Sequence, residues 1–279
     1  IFGDIPLFVG YDSADVWAQR EAFLLDAEGR RKVVAGVPPD YFSATGQLWG
    51  NPHYDWDAMR KNNFQWWKAR IRTQFTQFDL LRIDHFRGLE AYWEIPADAE
   101  TAIHGRWQAA PGDELLNALR EEFGDLPLVA EDLGIITPEV ETLRDTHGLP
   151  GMKVLHFAFG GGADNPYLPH HHLPNAVAYT GTHDNNTTLG WFHELDAGTR
   201  NHLFDYLGGT SEQMPEVLVR AAFASVARLA IVPMQDVLAL DGEHRMNRPG
   251  VADDCWRWRF RWEQVKPQIA GHYRHLLEL

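Results

Sequence analysis

A short apolar run that ends in charged residues, Leu80-Leu81-Arg82-Ile83-Asp84-His85, decides the fold. Residues 79–83 have the length and apolar content of a buried strand, and Asp84 follows that strand directly. Glu131 and Asp184 each come just after another short apolar run. Barrel enzymes gather their catalytic groups at the carboxyl ends of strands, so three carboxylates in this position indicate a functional edge.

Short apolar runs alternate with amphipathic segments along the rest of the chain. This alternation predicts a parallel sheet, either doubly wound or forming most of a (β/α)8 barrel. No glycine-rich phosphate loop follows a strand, which favours the barrel. The predicted strands cover residues 5–9, 79–83, 127–130, 153–159, 176–180 and 228–232. The predicted helices cover residues 63–75, 113–123, 137–148, 197–207 and 216–227.

Composition excludes several classes of protein. The 279 residues are 44% hydrophobic, enough for a substantial core, and the formal net charge of −14 argues against a nucleic-acid partner. No apolar run approaches the about 20 residues of a membrane span. The single cysteine, Cys255, excludes an internal disulfide framework and a clustered-thiolate zinc site. We therefore predict a cytoplasmic protein without a metal site.

Residues 10–62 form a long segment rich in Pro, Gly, Tyr and Trp. Loops of this length in compact domains are usually functional. We predict that the segment is a lid or cleft wall over the strand ends.

The three carboxylates suit glycoside chemistry. Two carboxyl groups that face one bond can act as nucleophile and general acid/base, and a third anion favours an oxocarbenium-like transition state. Arg82 lies two residues before Asp84, so strand alternation places it on the same face, where it keeps Asp84 ionised. His85 and His183 are natural donors to sugar hydroxyls. Taken singly, a strand-end Asp can also be a helix cap, and His183-Asp184 can also be a metal pair.

Longer strings around these residues carry a family resemblance. In chain order they are Gly3-Asp4-Ile5-Pro6, Asp12-Ser13-Ala14-Asp15-Val16-Trp17, Ala35-Gly36-Val37-Pro38-Pro39-Asp40-Tyr41-Phe42, Trp49-Gly50-Asn51-Pro52, Arg82-Ile83-Asp84-His85-Phe86-Arg87-Gly88, Ala130-Glu131-Asp132-Leu133-Gly134 and Thr180-Gly181-Thr182-His183-Asp184-Asn185. In these strings the chain resembles the 4-α-glucanotransferases of glycoside hydrolase family 77, and the resemblance covers essentially the whole chain.

The resemblance implies roles for individual residues. Asp84 matches the family's nucleophile, Glu131 its acid/base and Asp184 its transition-state stabiliser. The implied reaction moves an α-1,4-glucan segment from a donor to an acceptor malto-oligosaccharide through a covalent β-glucosyl-enzyme, without a metal or organic cofactor. Arg82 and His183 match the family's sugar contacts. Tyr41 and Phe42 match its acceptor-side loop, and Trp49, Asn51 and Pro52 follow that loop. Asp4 and Asn247 match positions near bound glucan.

The resemblance also implies a fold and its extent. The family fold is a (β/α)8 barrel with inserted subdomains, whose first strands lie upstream of Gly3. We therefore expect residues 1–279 to be a partial catalytic barrel, from about the third strand onward. One departure is Asn186, where the family commonly has aspartate, and we expect it to tune activity without abolishing it.

Two alternatives remain open at this point. The same three carboxylates could serve an α-glucan hydrolase, or the chain could be a non-catalytic glucan-binding fragment. The apolar, proline-rich residues 37–42 favour exclusion of water, and therefore transfer over hydrolysis.

Overall fold

The computed structural model describes residues 1–39, 43–251 and 253–278. The chain forms two compact units, Ile1–Gly151 and Met152–Leu279. Its strands are β1 (Phe2–Pro6), β2 (Val33–Val37), β3 (Gln47–Pro52), β4 (Leu80–Asp84), β5 (Ala91–Pro96), β6 (Arg106–Ala109), β7 (Leu128–Ala130), β8 (Gly151–Val154), β9 (Ala176–Tyr179) and β10 (Leu229–Ile231).

The helices connect and cover these strands. The α-helices are α1 (Ala14–Ala18), α2 (Trp56–Lys61), α3 (Gln65–Phe75), α4 (Gly112–Phe123), α5 (Pro138–Thr146), α6 (Thr188–Glu194), α7 (Ala197–Leu207), α8 (Glu216–Phe223), α9 (Met234–Val237) and α10 (Pro267–Glu278). Short 3-10 helices cover Arg20–Ala22, Phe86–Leu89, Leu155–Phe157, Pro169–His171, Ser211–Gln213, Gly242–His244 and Trp262–Gln264.

A parallel sheet in the order β1-β4-β7 organises the first unit. Asp4 of β1 lies beside Arg82 of β4, and Ile83 of β4 lies beside Ala130 of β7. The predicted parallel strands β4 and β7 are thus confirmed within one residue at either end. Because all three strands run the same way, their carboxyl ends meet at one edge.

The first strand lies three residues earlier than the predicted range 5–9. The apolar run continues past Pro6 into the core, but sheet pairing stops there. Side chains, and not a neighbouring strand, donate hydrogen bonds to the next backbone carbonyls. Arg70 donates to the carbonyl of Pro6 at 2.7 Å, and the hydroxyl of Tyr54 donates to the carbonyl of Leu7. Leu7 is therefore buried without belonging to a strand.

An antiparallel sheet in the order β3-β2-β5-β6 was not predicted. Its first two strands, together with α1 and α2, fall inside residues 10–62, so that segment contains regular structure. Trp93 of β5 lies opposite Trp107 of β6, with ring centroids 5.2 Å apart. Such cross-strand aromatic pairs stabilise a sheet and fix its register.

Gly36 allows β2 and β3 to approach each other closely. A Cβ atom at this position would lie 2.1 Å from the carbonyl oxygen of Gln47 and 2.6 Å from Cδ1 of Ile95. We expect Gly36→Ala to lower the free energy of unfolding by about 1–3 kcal/mol, the usual cost of overpacking. Gly271→Ala is the matched control, because nothing lies within 4 Å of a Cβ there and alanine favours the helix interior. Denaturant unfolding of both variants checks this, and equal shifts would contradict it.

The second unit contains a three-stranded sheet in the order β10-β9-β8, in which β9 and β10 are parallel. Two predicted elements end early. The strand predicted over residues 153–159 gives way to a 3-10 helix at Leu155, and the helix predicted over residues 216–227 ends at Phe223. Helix α7 has the predicted bounds.

Each unit has its own apolar core. In the first unit, the rings of Phe23, Tyr54, Trp66 and Trp67 pack within 5.2–5.7 Å of their ring neighbours. Burial of one such large side chain stabilises a fold by about 1.5–3 kcal/mol. In the second unit, the buried side chains include Leu155, Phe159, Phe192, Leu203 and Leu218.

The chain is therefore a mixed α/β protein, as predicted. Its sheets have three or four strands each, and the part of the chain that the structure describes contains no closed barrel.

Candidate active site

Asp4, Arg82 and Asp84 lie on one face of the parallel sheet. Asp4 and Arg82 are neighbours across β1 and β4, and Asp84 follows two residues later on the same strand. The guanidinium of Arg82 donates to Oδ2 of Asp4 at 2.6 Å and to Oδ1 of Asp84 at 2.7 Å. The same-face arrangement predicted for Arg82 and Asp84 is therefore observed, and Arg82 orients both carboxylates.

Arg82 is buried, while the two carboxylates that it holds remain partly open to solvent. Burial alone would lower the pKa of Arg82, but the charges of Asp84, Asp4 and Glu131 outweigh it and raise that pKa. A guanidinium that stays protonated favours the ionised form of Asp84, as a nucleophile requires.

Glu131 directly follows β7 at the same edge of the sheet. Its Oε2 accepts the backbone N–H of His85 at 2.7 Å, and its Oε1 accepts the backbone N–H of Leu133 at 3.1 Å. Burial is the largest influence on this carboxyl and, with the charge of Asp84, raises its pKa to about 7, against the opposing effects of Arg82 and the two N–H donors. A carboxyl group with this pKa can both give and take a proton near neutral pH.

The turn after Glu131 is fixed by a buried ion pair. Asp132 accepts from Nη1 of Arg144 on α5, and both side chains are largely buried. A Cβ atom on Gly151 would lie 2.3 Å from Oδ2 of Asp132, so only glycine leaves room for this carboxylate.

His85 has a left-handed backbone, with φ 54° and ψ 46°. This backbone conformation is uncommon for residues other than glycine. It directs the backbone N–H of His85 towards the carboxylate of Glu131. The ring lies edge-on to Trp49 at 4.8 Å, and its buried Nε2 has no hydrogen-bond partner among the described residues. Burial lowers the pKa of His85 to about 3, so the ring is neutral. The backbone of this predicted sugar donor thus has a role that the sequence did not indicate.

Trp49, Asn51 and Pro52, which follow the predicted acceptor-side loop, lie on β3. Trp49 is 39% exposed and donates from Nε1 to Oε1 of Gln47 at 3.0 Å. Asn51 donates from its side chain to the carbonyl of Val9 at 3.0 Å, and Pro52 is buried at the end of the strand. Asn51 therefore supports the segment after β1. Tyr41 and Phe42 lie outside the described residues.

In the second unit, Asp184 follows β9 and is held by residues from a distant segment. Nδ2 of Asn247 donates to Oδ1 of Asp184 at 2.6 Å, and Nη2 of Arg245 donates to its backbone carbonyl at 2.5 Å. Nε2 of His183 lies 3.5 Å from Oδ2. The structure thus brings the predicted residues Asn247, His183 and Asp184 together.

Sequence reasoning missed two residues of this group. Arg245 lies two residues before Asn247, and that spacing was the only available signal. Trp256 is 57% exposed and its ring lies 5.1 Å from the ring of His183. Its backbone N–H donates to the carbonyl of Met246 at 2.8 Å, which ties Trp256 to the segment that supplies Arg245 and Asn247.

In residues 1–39, 43–251 and 253–278, no group of three or more His, Cys, Asp or Glu is placed to hold a metal ion. Within the same ranges, no helix has the length and apolar character needed to cross a membrane.

A comparison with family models decides the family. The model described as 4-alpha-glucanotransferase, glycoside hydrolase family 77, matches residues 1–265. The chain belongs to this family.

Curated 4-alpha-glucanotransferases show the same relationship. The chain is 52% identical to the Synechocystis protein and 51% identical to the Thermus thermophilus protein, in each case over the whole chain. It covers 56% and 57% of these relatives, and so spans little more than half of their length. Among solved structures, Streptococcus agalactiae amylomaltase in complex with acarbose matches with a TM-score of 0.96 and 40% identity, over 99% of this chain and 56% of that one.

Asn186, which the resemblance marks as a departure from the family pattern, has specific contacts. Its Nδ2 donates to Oε1 of Glu194 at 2.8 Å, and its Oδ1 accepts the backbone N–H of Thr187 at 2.9 Å. An aspartate would keep the second contact but would place a second carboxylate against Glu194, a repulsive arrangement. The amide therefore suits this neighbour.

Proposed function

We propose that this chain carries the catalytic carboxylates of a 4-alpha-glucanotransferase. The enzyme transfers α-1,4-glucan segments between malto-oligosaccharides by a retaining double displacement. The observation that carries the proposal is the pair of strand-end carboxylates in the first unit. Asp84 is held by a buried arginine, and Glu131 has a pKa raised to about 7 by burial and by the charge of Asp84.

In the first step, a carboxylate oxygen of Asp84 attacks C1 of the donor sugar. The C1–O bond to the leaving chain breaks, and the proton of Glu131 moves to the departing oxygen, which becomes the 4-hydroxyl of the released sugar. The product is a β-glycosyl ester on Asp84. The hydrogen bond from Arg82 to Oδ1 of Asp84 fixes the orientation of the attacking carboxylate.

In the second step, Glu131 acts as a base. Its carboxylate takes the proton from the 4-hydroxyl of an acceptor sugar, whose oxygen attacks C1 and displaces Asp84. Two inversions at C1 leave the α-configuration unchanged. Water at the acceptor position would give hydrolysis.

Asp184 acts as the transition-state stabiliser in this proposal. Its carboxylate offers negative charge to the oxocarbenium-like sugar, and the hydrogen bonds from Asn247 and Arg245 fix its orientation beforehand. Preorganised charge of this kind is often the largest single contribution to catalysis. His183 and the exposed face of Trp49 are proposed sugar contacts, and His85 acts through its backbone.

We propose that the chain is part of a (β/α)8 barrel, and that residues 10–62 form a wall or lid of its cleft. The TM-score of 0.96 to an amylomaltase structure supports this.

The proposed function is tested by incubating the protein with maltotriose. Separation of the products by length should show glucose together with chains longer than maltotriose, because transfer lengthens one molecule as it shortens another. Glucose and maltose without longer products would replace transfer by hydrolysis. Absence of any product at high protein concentration would contradict the enzymatic proposal and leave the glucan-binding alternative.

A further inference from the structure

The loop that carries His183 and Asp184 is bounded by two threonines. Thr180 directly follows β9, Thr188 opens α6, and both residues are fully buried. The intervening residues 181–187 contain His183 and Asp184, which are partly exposed. The position of the loop 181–187 therefore depends on the contacts that hold its two ends.

One carboxylate, from a separate helix, holds both ends. Oδ2 of Asp236 on α9 accepts the hydroxyl of Thr180 at 2.6 Å and the hydroxyl of Thr188 at 2.7 Å. Its Oδ1 accepts the backbone N–H of Thr188 at 2.8 Å. Asp236 is only 2% exposed. Burial raises the pKa of Asp236, and the hydrogen bonds from the two threonines oppose that rise, so the anchors favour its charged form.

His156 also contacts both ends. Its backbone N–H donates to the carbonyl of Thr180 at 3.2 Å, and its Nε2 lies 3.0 Å from the hydroxyl of Thr188. The ring is stacked on Trp191, with centroids 4.5 Å apart and planes 8° apart. Burial lowers the pKa of His156 to about 3, so the ring is neutral.

The hydrogen-bond directions in this group are determined. Because the hydroxyl of Thr188 gives its single proton to Asp236, it accepts from His156, which must therefore carry its proton on Nε2. The chain of donors runs from His156 through Thr188 to Asp236. A series in which each bond polarises the next is stiffer than its separate parts.

The first residue of the loop must pass close to this group. A Cβ atom on Gly181 would lie 2.6 Å from Cε1 and 2.8 Å from Nδ1 of His156. Glycine lets the backbone cross the imidazole without displacing it.

We propose that Asp236 and His156 are positioning residues that hold both ends of the loop 181–187 and thereby fix Asp184 for catalysis. The proposal rests on the proposed function, in which Asp184 stabilises the transition state. Neither residue is assigned a contact with sugar. A displacement of a catalytic group by about 1 Å can lower a rate by about 10²-fold, so loss of one anchor should affect turnover.

Hydrogen exchange tests the anchoring without reference to activity. Thr180→Val keeps the shape of the side chain but removes the donor to Asp236, and Thr180→Ser restores a hydroxyl. We expect the amides of residues 181–187 to exchange about tenfold faster in Thr180→Val and at the original rate in Thr180→Ser. Thr142→Val, which removes an exposed threonine hydroxyl bond on α5, is the control and should leave the loop unchanged. Unchanged exchange over 181–187 in folded Thr180→Val would overturn the proposal.

Kinetics test the catalytic consequence. In Thr180→Val, kcat for transfer from maltotriose should fall about 10- to 100-fold while KM stays within about twofold, and Thr180→Ser should recover most of kcat. If Thr180→Val does not fold, Asp236→Asn is the second variant, because it loses one acceptor but keeps the shape of the side chain. We again expect a lower kcat with KM nearly unchanged. An unchanged kcat in a variant with a faster-exchanging loop would overturn the positioning role. Lack of transfer by the unaltered protein would instead refute the proposed function and leave the exchange result intact.

Discussion

Replacing Asp84 by asparagine should reduce glucan transfer by about 10³-fold or more, because a neutral amide cannot form the glycosyl ester. The fold should survive the change. Asp84 is partly exposed, and Arg82 keeps its hydrogen bond to Asp4 at 2.6 Å. The rate of glucose release from maltotriose measures the effect, with circular dichroism and thermal unfolding to verify the fold.

Two controls separate the nucleophile from its surroundings. Asp57→Asn changes a highly exposed carboxylate on α2 and should alter the rate by less than about twofold. Asp4→Asn removes the other carboxylate on Arg82 and should give a smaller loss than Asp84→Asn, since Asp4 forms no bond to the sugar in the proposed mechanism. A rate in Asp84→Asn within about tenfold of the original would refute the assignment of the nucleophile.

Replacing Glu131 by glutamine should remove both the proton transfer and the pH dependence that it causes. With a pKa of about 7, Glu131 is protonated below neutral pH and loses its proton as the pH rises. The first step needs the acid form, so kcat/KM for the donor should fall as the pH rises above about 7. In Glu131→Gln this alkaline limb should disappear, and kcat/KM should be lower by about 10²- to 10⁴-fold.

A donor with a good leaving group isolates the acid role of Glu131. The fluoride of α-maltosyl fluoride leaves with little protonation, so Glu131→Gln should still form the glycosyl-enzyme from this donor. Azide attacks without a general base, so it should accelerate turnover by replacing the sugar acceptor. Glu121→Gln, an exposed change on α4, should retain the original pH profile. If the alkaline limb persists in Glu131→Gln, another group controls it.

Strand ends were the most predictable part of this molecule. Arg82 and Asp84 share a face because side chains alternate along a strand, and alternation needs no knowledge of the partner strand. The first strand was placed too late because burial and sheet pairing differ there. Leu7 is fully buried, yet its carbonyl accepts a hydrogen bond from a tyrosine hydroxyl and not from a neighbouring strand. Hydropathy carries no information about that hydrogen bond.

The antiparallel sheet was missed for a different reason. Its strands β2 and β3 lie in a segment rich in glycine and proline, which predicts loops in the absence of pairing information. Close approach at Gly36 and the pairing of Trp93 with Trp107 are contacts between segments, so only the folded chain reveals them.

The supports of Asp184 were also outside the reach of sequence reasoning. Asn247 lies 63 residues away from Asp184, and Asp236 lies 56 residues away from Thr180. No periodicity links such positions. Asn247 was found through family resemblance alone, whereas Asp236 emerges only from its hydrogen bonds.

In the proposed mechanism Asp84 forms a covalent bond to the sugar, and trapping that intermediate tests this role most directly. The Glu131→Gln variant is incubated with α-maltosyl fluoride, quenched in acid and digested, and the peptides are analysed by mass spectrometry. We predict a maltosyl adduct on Asp84 that is absent when Asp84→Asn is added to the variant. An adduct on another residue, or turnover that yields products of inverted anomeric configuration without any adduct, would contradict the account.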